Sequence, residues 1–210
     1  MDQTRTVSTK EIIFDVAVDL FSEKGYSNVS MREIAHKVGI KASSLYKHYE
    51  SKDDLLKSIF DFFRSVLDET NFPVTGLEEY LKNITPEEYL NQSFLLFKQV
   101  MWKPAIMKIA KIINMEQQRN QSVRQFFTEE FIQKPFQITK YGFDIMLENG
   151  LIASIDTATA AEEYNAYIIF LYFEQNFLKD EPNMEEIEKK MIRHNQFFAY
   201  NVLRKEGQLK

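Results

Sequence analysis

Two helix starts with the same grammar stand close together near the beginning of this 210-residue chain, and they restrict its fold more than any other feature. Ser8 is followed three positions later by Glu11, with Val7 before it and Ile12 inside. This is a capping box framed by a hydrophobic staple: the serine oxygen and the carboxylate satisfy amides that a helix end leaves unpaired. Ser30, Glu33, Val29 and Ile34 repeat the arrangement. Between the two starts, Ile12, Ile13, Val16, Ala17, Leu20 and Phe21 make an apolar stripe at helical spacing, which Gly25 closes.

The rest of the chain extends the helical reading. Six Gly and five Pro are too few for a strand-and-turn architecture, and no useful alternating segment occurs, so the fold class is all-α. A second helix runs from Met31 to about Lys37, Gly39 makes a turn, and a third helix covers about Ala42 to His48. Ser51 with Asp54 opens a fourth, striped by Leu55, Leu56, Ile59, Phe60, Phe63, Val66 and Leu67, which ends before Asn71-Phe72-Pro73. The domain boundary is placed near residue 52, giving an N-terminal three-helix domain (1–52) and a C-terminal helical domain for ligand binding and dimerisation (53–210). Further on, Thr85-Pro86-Glu87-Glu88 starts a helix to about Met101, and Pro104 starts another to about Met115. A segment from Ser122 to Glu148 contains Pro135, which kinks or breaks it, and two last helices span about Thr157 to Leu178 and Pro182 to Arg204.

Composition removes several function classes. The chain has no cysteine, which excludes disulfides, thiolate metal sites and a thiol nucleophile. The N-terminus lacks the signature of a signal peptide, so a cytoplasmic location is expected. The apolar run from Ala166 to Phe173 is too short to span a bilayer, and no membrane partner is expected. His36, His48 and His194 are scattered, and neither a glycine-rich phosphate loop nor a nucleophile elbow occurs, so no enzyme, metal or cofactor is expected.

The net charge of −5 argues against a nucleic-acid partner until its distribution is read. Residues 1–52 hold eight Lys or Arg against seven Asp or Glu, whereas residues 53–210 hold eighteen against twenty-four. Arg32, Lys37, Lys41, Lys47 and Lys52 crowd around the second and third helices. In a helix-turn-helix, one helix braces a second that enters the major groove, and a short glycine turn sets their angle. Here Ile34, Ala35, Val38, Ile40 and Leu45 supply the shared core. Lys41, Ala42, Ser43, Ser44, Lys47 and His48 remain outward: short or cationic side chains that let a helix sit deep in a groove while its ends meet phosphates. Tyr46 and Tyr49 have a second reading as core aromatics, and His36 reads as a solvated helix residue.

The residues Ile34-Ala35, Val38-Gly39-Ile40, Leu45-Tyr46-Lys47-His48-Tyr49 and Ser51-Lys52-Asp53-Asp54-Leu55-Leu56 together resemble the DNA-binding domain of the TetR family of bacterial regulators. The resemblance covers roughly residues 8–67. It implies that Tyr46 gives its hydroxyl to a phosphate, that Lys52 makes another backbone contact, and that Ser30 caps the second helix and touches phosphate. Lys41, Ser43, Ser44, Lys47 and His48 become groove-facing or flanking contacts. Lys41 stands where the family often has Ser or Thr, which leaves the recognition helix without its usual cap.

A single unit of this kind makes too few base contacts for specific binding, so a homodimer reading a palindromic operator is expected. The last two helices are the candidate interface, with Tyr164, Ile168, Leu171, Met191 and Phe198 at helical spacing; the other reading of these stripes is monomer core. Aromatic and methionine side chains in the middle of the chain, among them Phe97, Met101, Trp102, Met107, Phe127 and Tyr141, are candidates for lining a pocket for a small apolar or amphipathic effector. The expected function is ligand-responsive regulation of transcription, by repression. An all-helical lipid or small-molecule binding module without DNA activity is the alternative, and it leaves the basic third helix unexplained.

Overall fold

The computed structural model describes residues 8–68, 76–179 and 181–204. Among them regular structure is entirely helical: α1 Thr9–Lys24, α2 Met31–Val38, α3 Ala42–Leu45, α4 Lys52–Asp68, α5 Leu77–Lys82, α6 Pro86–Met101, α7 Pro104–Glu116, α8 Gln121–Phe127, α9 Lys134–Glu148, α10 Thr157–Phe177 and α11 Met184–Phe198. A 3-10 turn occupies Tyr26–Asn28, and widened π turns occupy Thr128–Gln133 and Ala199–Leu203. Val7 and Pro73, to which the sequence assigns a staple and a helix stop, lie outside the described residues.

The caps form largely as the sequence implies. Ser8 Oγ accepts the Glu11 amide at 3.2 Å while the Ser8 amide donates to the Glu11 carboxylate at 2.7 Å, a complete box. At α2, Ser30 Oγ accepts the Glu33 amide at 3.2 Å, but the Glu33 carboxylate takes the Lys24 ammonium at 2.6 Å and ties α2 to the end of α1. Thr85 and Glu88 make a second reciprocal pair at the start of α6. The stripe of α1 is rotated slightly from expectation: Val18 is buried and Ile12 is exposed.

The contacts gather into two compact units, Met1–Glu69 with Val100–Phe127, and Thr70–Gln99 with Thr128–Lys210. In the first, α1, α2 and α3 enclose Ile13, Ala17, Phe21, Ile34, Ala35 and Leu45, all essentially inaccessible to solvent. α7 joins this unit because Ile106, Ile109, Ile112 and Ile113 are buried where it packs on α1 and α4. Phe126 of α8 stacks on Phe60 of α4 at 4.1 Å and meets Phe63 edge-on at 5.6 Å. α4 begins at Lys52, the position near which the sequence places a domain boundary.

In the second unit α9 packs along α10, with Phe143, Met146, Ala160, Ala161, Tyr164 and Phe198 at the centre of its core. Pro135 does not simply kink a long helix. It becomes the second residue of α9, and the turn before it opens to π spacing, which relieves the clash between the proline ring and the carbonyl one turn earlier. A buried chain of hydrogen bonds crosses this unit: the Tyr164 hydroxyl donates to Asn195 Oδ1 at 2.9 Å, and Asn195 Nδ2 donates to Asn91 Oδ1 at 2.9 Å.

Candidate nucleic-acid interface

α2 ends in a Schellman turn. The Gly39 amide donates to the His36 carbonyl and the Ile40 amide to the Ala35 carbonyl, with Gly39 at φ 81° and ψ 26°, a left-handed conformation that suits glycine. Ile40 is thereby turned back, and Lys41 begins α3 in extended conformation, without a side-chain cap bond, as the resemblance implies. The regular part of α3 is shorter than expected, stopping at Leu45. The chain then tightens into i to i−3 bonds, Lys47 amide to Ser44 carbonyl and His48 amide to Leu45 carbonyl. Leu45 and Tyr49 point into the core, which settles the second reading of Tyr49 as a core aromatic, while Tyr46 is half exposed. Lys41, Ser43, Lys47 and His48 are exposed, and Ala42 and Ser44 partly so.

Beside α3 lies a cleft of about 530 Å³ lined by Ser27, Asn28, Val29, Ser30, Met31, Arg32, Tyr46 and Lys52. It brings together three residues that the sequence nominates for backbone contacts: Ser30, Tyr46 and Lys52. Its floor is the start of α2, whose first amides have no acceptor within their own helix and favour an anion. Arg32 and Lys52 add positive charge. Ser27, Asn28 and Arg32 were not singled out for this cleft by sequence reasoning. The available signal was a polar pair, Ser27-Asn28, directly ahead of the Ser30 cap.

Lys52 is more constrained than a free phosphate ligand. Its ammonium donates to the carbonyls of Tyr26 at 2.9 Å and Val29 at 3.0 Å and sits 4.2 Å from the centre of the Tyr26 ring. Two of its three N–H groups therefore hold the Tyr26–Asn28 turn, and one remains for a ligand in the cleft. Tyr26 is also fixed by its hydroxyl, which donates to Asp53 at 2.5 Å. Burial, then the Asp53 bond, push its ionisation far above the ordinary tyrosine range, so it stays a donor.

The same turn is held from behind by α7. Glu116, at the last position of α7, is buried; one carboxylate oxygen accepts the Ser27 hydroxyl at 3.0 Å and the other the Ser27 amide at 3.4 Å. A β-carbon placed on Gly25 would come within 3.0 Å of Glu116 Oε1, so the carboxylate is packed tightly against the turn.

The pocket candidates disperse. Met101 and Phe127 are buried, while Phe97, Met107 and Tyr141 turn outward. The expected interface residues Tyr164, Leu171, Met191 and Phe198 are each less than 5% exposed and belong to the chain's own core, with Ile168 packed against it. Phe170 and Phe173 on α10, with Phe197 and Tyr200 at the end of the chain's last helical stretch, are among the exposed apolar residues of these helices. Among the described residues no cluster of three metal-ligating side chains occurs, and no helix is long and apolar enough to cross a membrane.

A glycine-turned pair of short helices, an outward face of small and cationic side chains, and an anion-favouring cleft beside it define a helix-turn-helix domain of one class. Residues 13–59 match the family model described as bacterial regulatory proteins, tetR family. The chain is 37% identical over 79 residues to the negative transcriptional regulator IcaR of the icaADBC biofilm operon of Staphylococcus epidermidis, a match covering 34% of this chain and 43% of that one. The alignment thus spans less than half the length of this curated relative. In fold, the chain is similar to a TetR-family transcriptional regulator from Mesorhizobium loti, with TM-score 0.70 and 22% identity over 97% of this chain and 100% of that one. It is also similar to AibR solved with isovaleryl coenzyme A and operator DNA, with TM-score 0.62 and 19% identity over 88% of this chain and 96% of that one.

Proposed function

We propose that this protein is a transcriptional regulator that binds operator DNA as a homodimer, represses, and is released by a small-molecule effector. The observation that carries the reading is the cleft: Ser30, Arg32, Tyr46 and Lys52 line it at the start of α2, and Tyr46 follows directly on α3. A phosphate seated there meets helix amides, a phenol and two cations, while Ser43, Ser44 and Lys47 are left outward for base edges. Residues 1–52 act as the DNA-reading part, and residues 53–210 carry dimerisation and effector binding. IcaR is a negative regulator, which favours repression, and AibR holds both an acyl coenzyme A and an operator, which favours an effector-bound, DNA-binding mode of work. Dimerisation uses the exposed Phe170, Phe173, Phe197 and Tyr200. A dimeric helix-turn-helix protein reads two half-sites in successive major grooves, about 34 Å apart.

Gel shifts against fragments of the host genome across a salt series test the reading. Specific complexes that weaken steeply with salt are expected, because each phosphate contact releases a counterion. Complexes that show no preference among fragments, or none at any salt concentration, reject it.

A further inference from the structure

Ser27 lines the cleft beside Ser30, Tyr46 and Lys52, and its hydroxyl proton is given to Glu116, a carboxylate brought in by a helix 89 positions later in the chain. A serine hydroxyl has one proton to donate. With that proton given to Glu116, the Ser27 hydroxyl has none to offer a phosphate in the cleft. The carboxylate is itself a negative charge just behind a site built for an anion, and because it is buried water screens it poorly. Against this, the two bonds from Glu116 hold the Tyr26–Asn28 turn in shape, and that turn forms one wall of the cleft.

Resting on the DNA reading above, we propose that Glu116 is a positioning residue that also acts as a brake on DNA-backbone binding. It keeps the cleft formed and at the same time withholds the Ser27 proton from the phosphate. The two effects have opposite signs, and different substitutions separate them. In Glu116→Gln the amide oxygen still accepts the Ser27 amide. The amide NH2 now donates to Ser27 Oγ, so the turn keeps its support, the hydroxyl proton is freed toward the cleft and the charge is gone. In Glu116→Ala the support is lost along with the charge. A purely structural role gives no route by which glutamine improves on glutamate.

The test uses the full-length protein with a random-sequence DNA duplex, so that only backbone contacts are read, across a salt series and well below the melting temperature of each variant. Glu116→Gln is expected to bind several-fold more tightly than wild type, and Glu116→Ala about tenfold more weakly, the scale of one lost charge-assisted hydrogen bond. In the double variant Ser27→Ala with Glu116→Gln the part of the gain due to the freed proton is expected to vanish and only the part due to the lost charge to remain. If Glu116→Ala does not fold, the glutamine and double variants still decide. Wild-type binding with Glu116→Gln equal to it or weaker overturns the brake and leaves the DNA reading standing. A gain that survives Ser27→Ala undiminished overturns the route through the hydroxyl. Wild type and Glu116→Gln both failing to bind at low salt overturns the DNA reading itself.

Discussion

Gly142 of α9 faces the ring of Tyr89 on α6 so closely that a β-carbon built on it would lie 2.2 Å from the Tyr89 hydroxyl oxygen and 2.7 Å from the ring carbon bearing it. Tyr89 is itself buried, and burial drives its ionisation up to about 12. Alanine normally favours a helix over glycine by about 1 kcal/mol. Here that gain is outweighed by overpacking, and Gly142→Ala is expected to destabilise the protein by about 1–3 kcal/mol. Thermal melts check this. Tyr89→Phe removes the oxygen but not the ring, so it should restore little, whereas Tyr89→Leu in the same background should restore more.

Tyr46→Phe and Lys52→Ala are each expected to weaken DNA binding on all sequences, and the salt dependence distinguishes them. Losing a neutral hydroxyl leaves the slope of log affinity against log salt unchanged; losing a cation on phosphate lowers it by about 0.9 per contact. Lys52→Ala is also expected to lower stability by about 1 kcal/mol, since the Tyr26 and Val29 carbonyls lose a charged donor. An unchanged melt with an unchanged slope would contradict both roles of Lys52.

Ser43→Ala and Ser44→Ala are expected to alter which sequences are preferred while changing affinity for random DNA little, because both lie on the outward side of α3 away from the cleft. Selection from a randomised duplex pool with each variant reads this directly. An unchanged consensus would remove both residues from base readout.

Light scattering after size exclusion should give a mass near twice 24.9 kDa. Phe170→Glu or Phe197→Glu is expected to yield a folded monomer, since both side chains are exposed in the single chain. Leu171→Glu or Phe198→Glu should instead unfold it, because those positions are internal. Dimers that persist in both exposed-face variants would move the interface elsewhere.

His194 lies flat against Tyr167 at 4.1 Å and near Tyr164 at 5.2 Å, and burial lowers its pKa below the ordinary histidine value. The folded state thus binds this proton less readily than the unfolded chain. The associated stability is fully present above about pH 6.5 and is lost as the pH falls through the lowered folded value. Glu186, held down to about 2 by Lys179 and Lys190, stays ionised across that window. The melting temperature is expected to drop between pH 7 and pH 5, with a visibly smaller drop in His194→Phe. Parallel curves would refute the assignment.

What was legible in the sequence was whatever is written locally. Ser8 with Glu11, Ser30 with Glu33, and Gly39 with Ile40 fix their own hydrogen bonds within a few residues, so the helix-turn-helix and its outward face followed from them. The turn at Tyr26–Asn28 has no periodicity, and its partner Glu116 is remote in the chain, so its role was invisible. The interface stripes failed for a related reason. In α10 nearly every face is apolar, so Leu171 and Phe170 look alike in sequence, and only packing shows that the first faces inward and the second outward.

The close approach of Gly142 to Tyr89 fixes the rotational phase of α9 within its own unit. Each residue advances a helix by about 100°. A residue gained or lost inside α9 between Pro135 and Gly142 would therefore swing the glycine off the Tyr89 ring and present a bulkier side chain in its place. The length of that helical stretch and the small residue at its end form one matched pair, and neither can vary without the other.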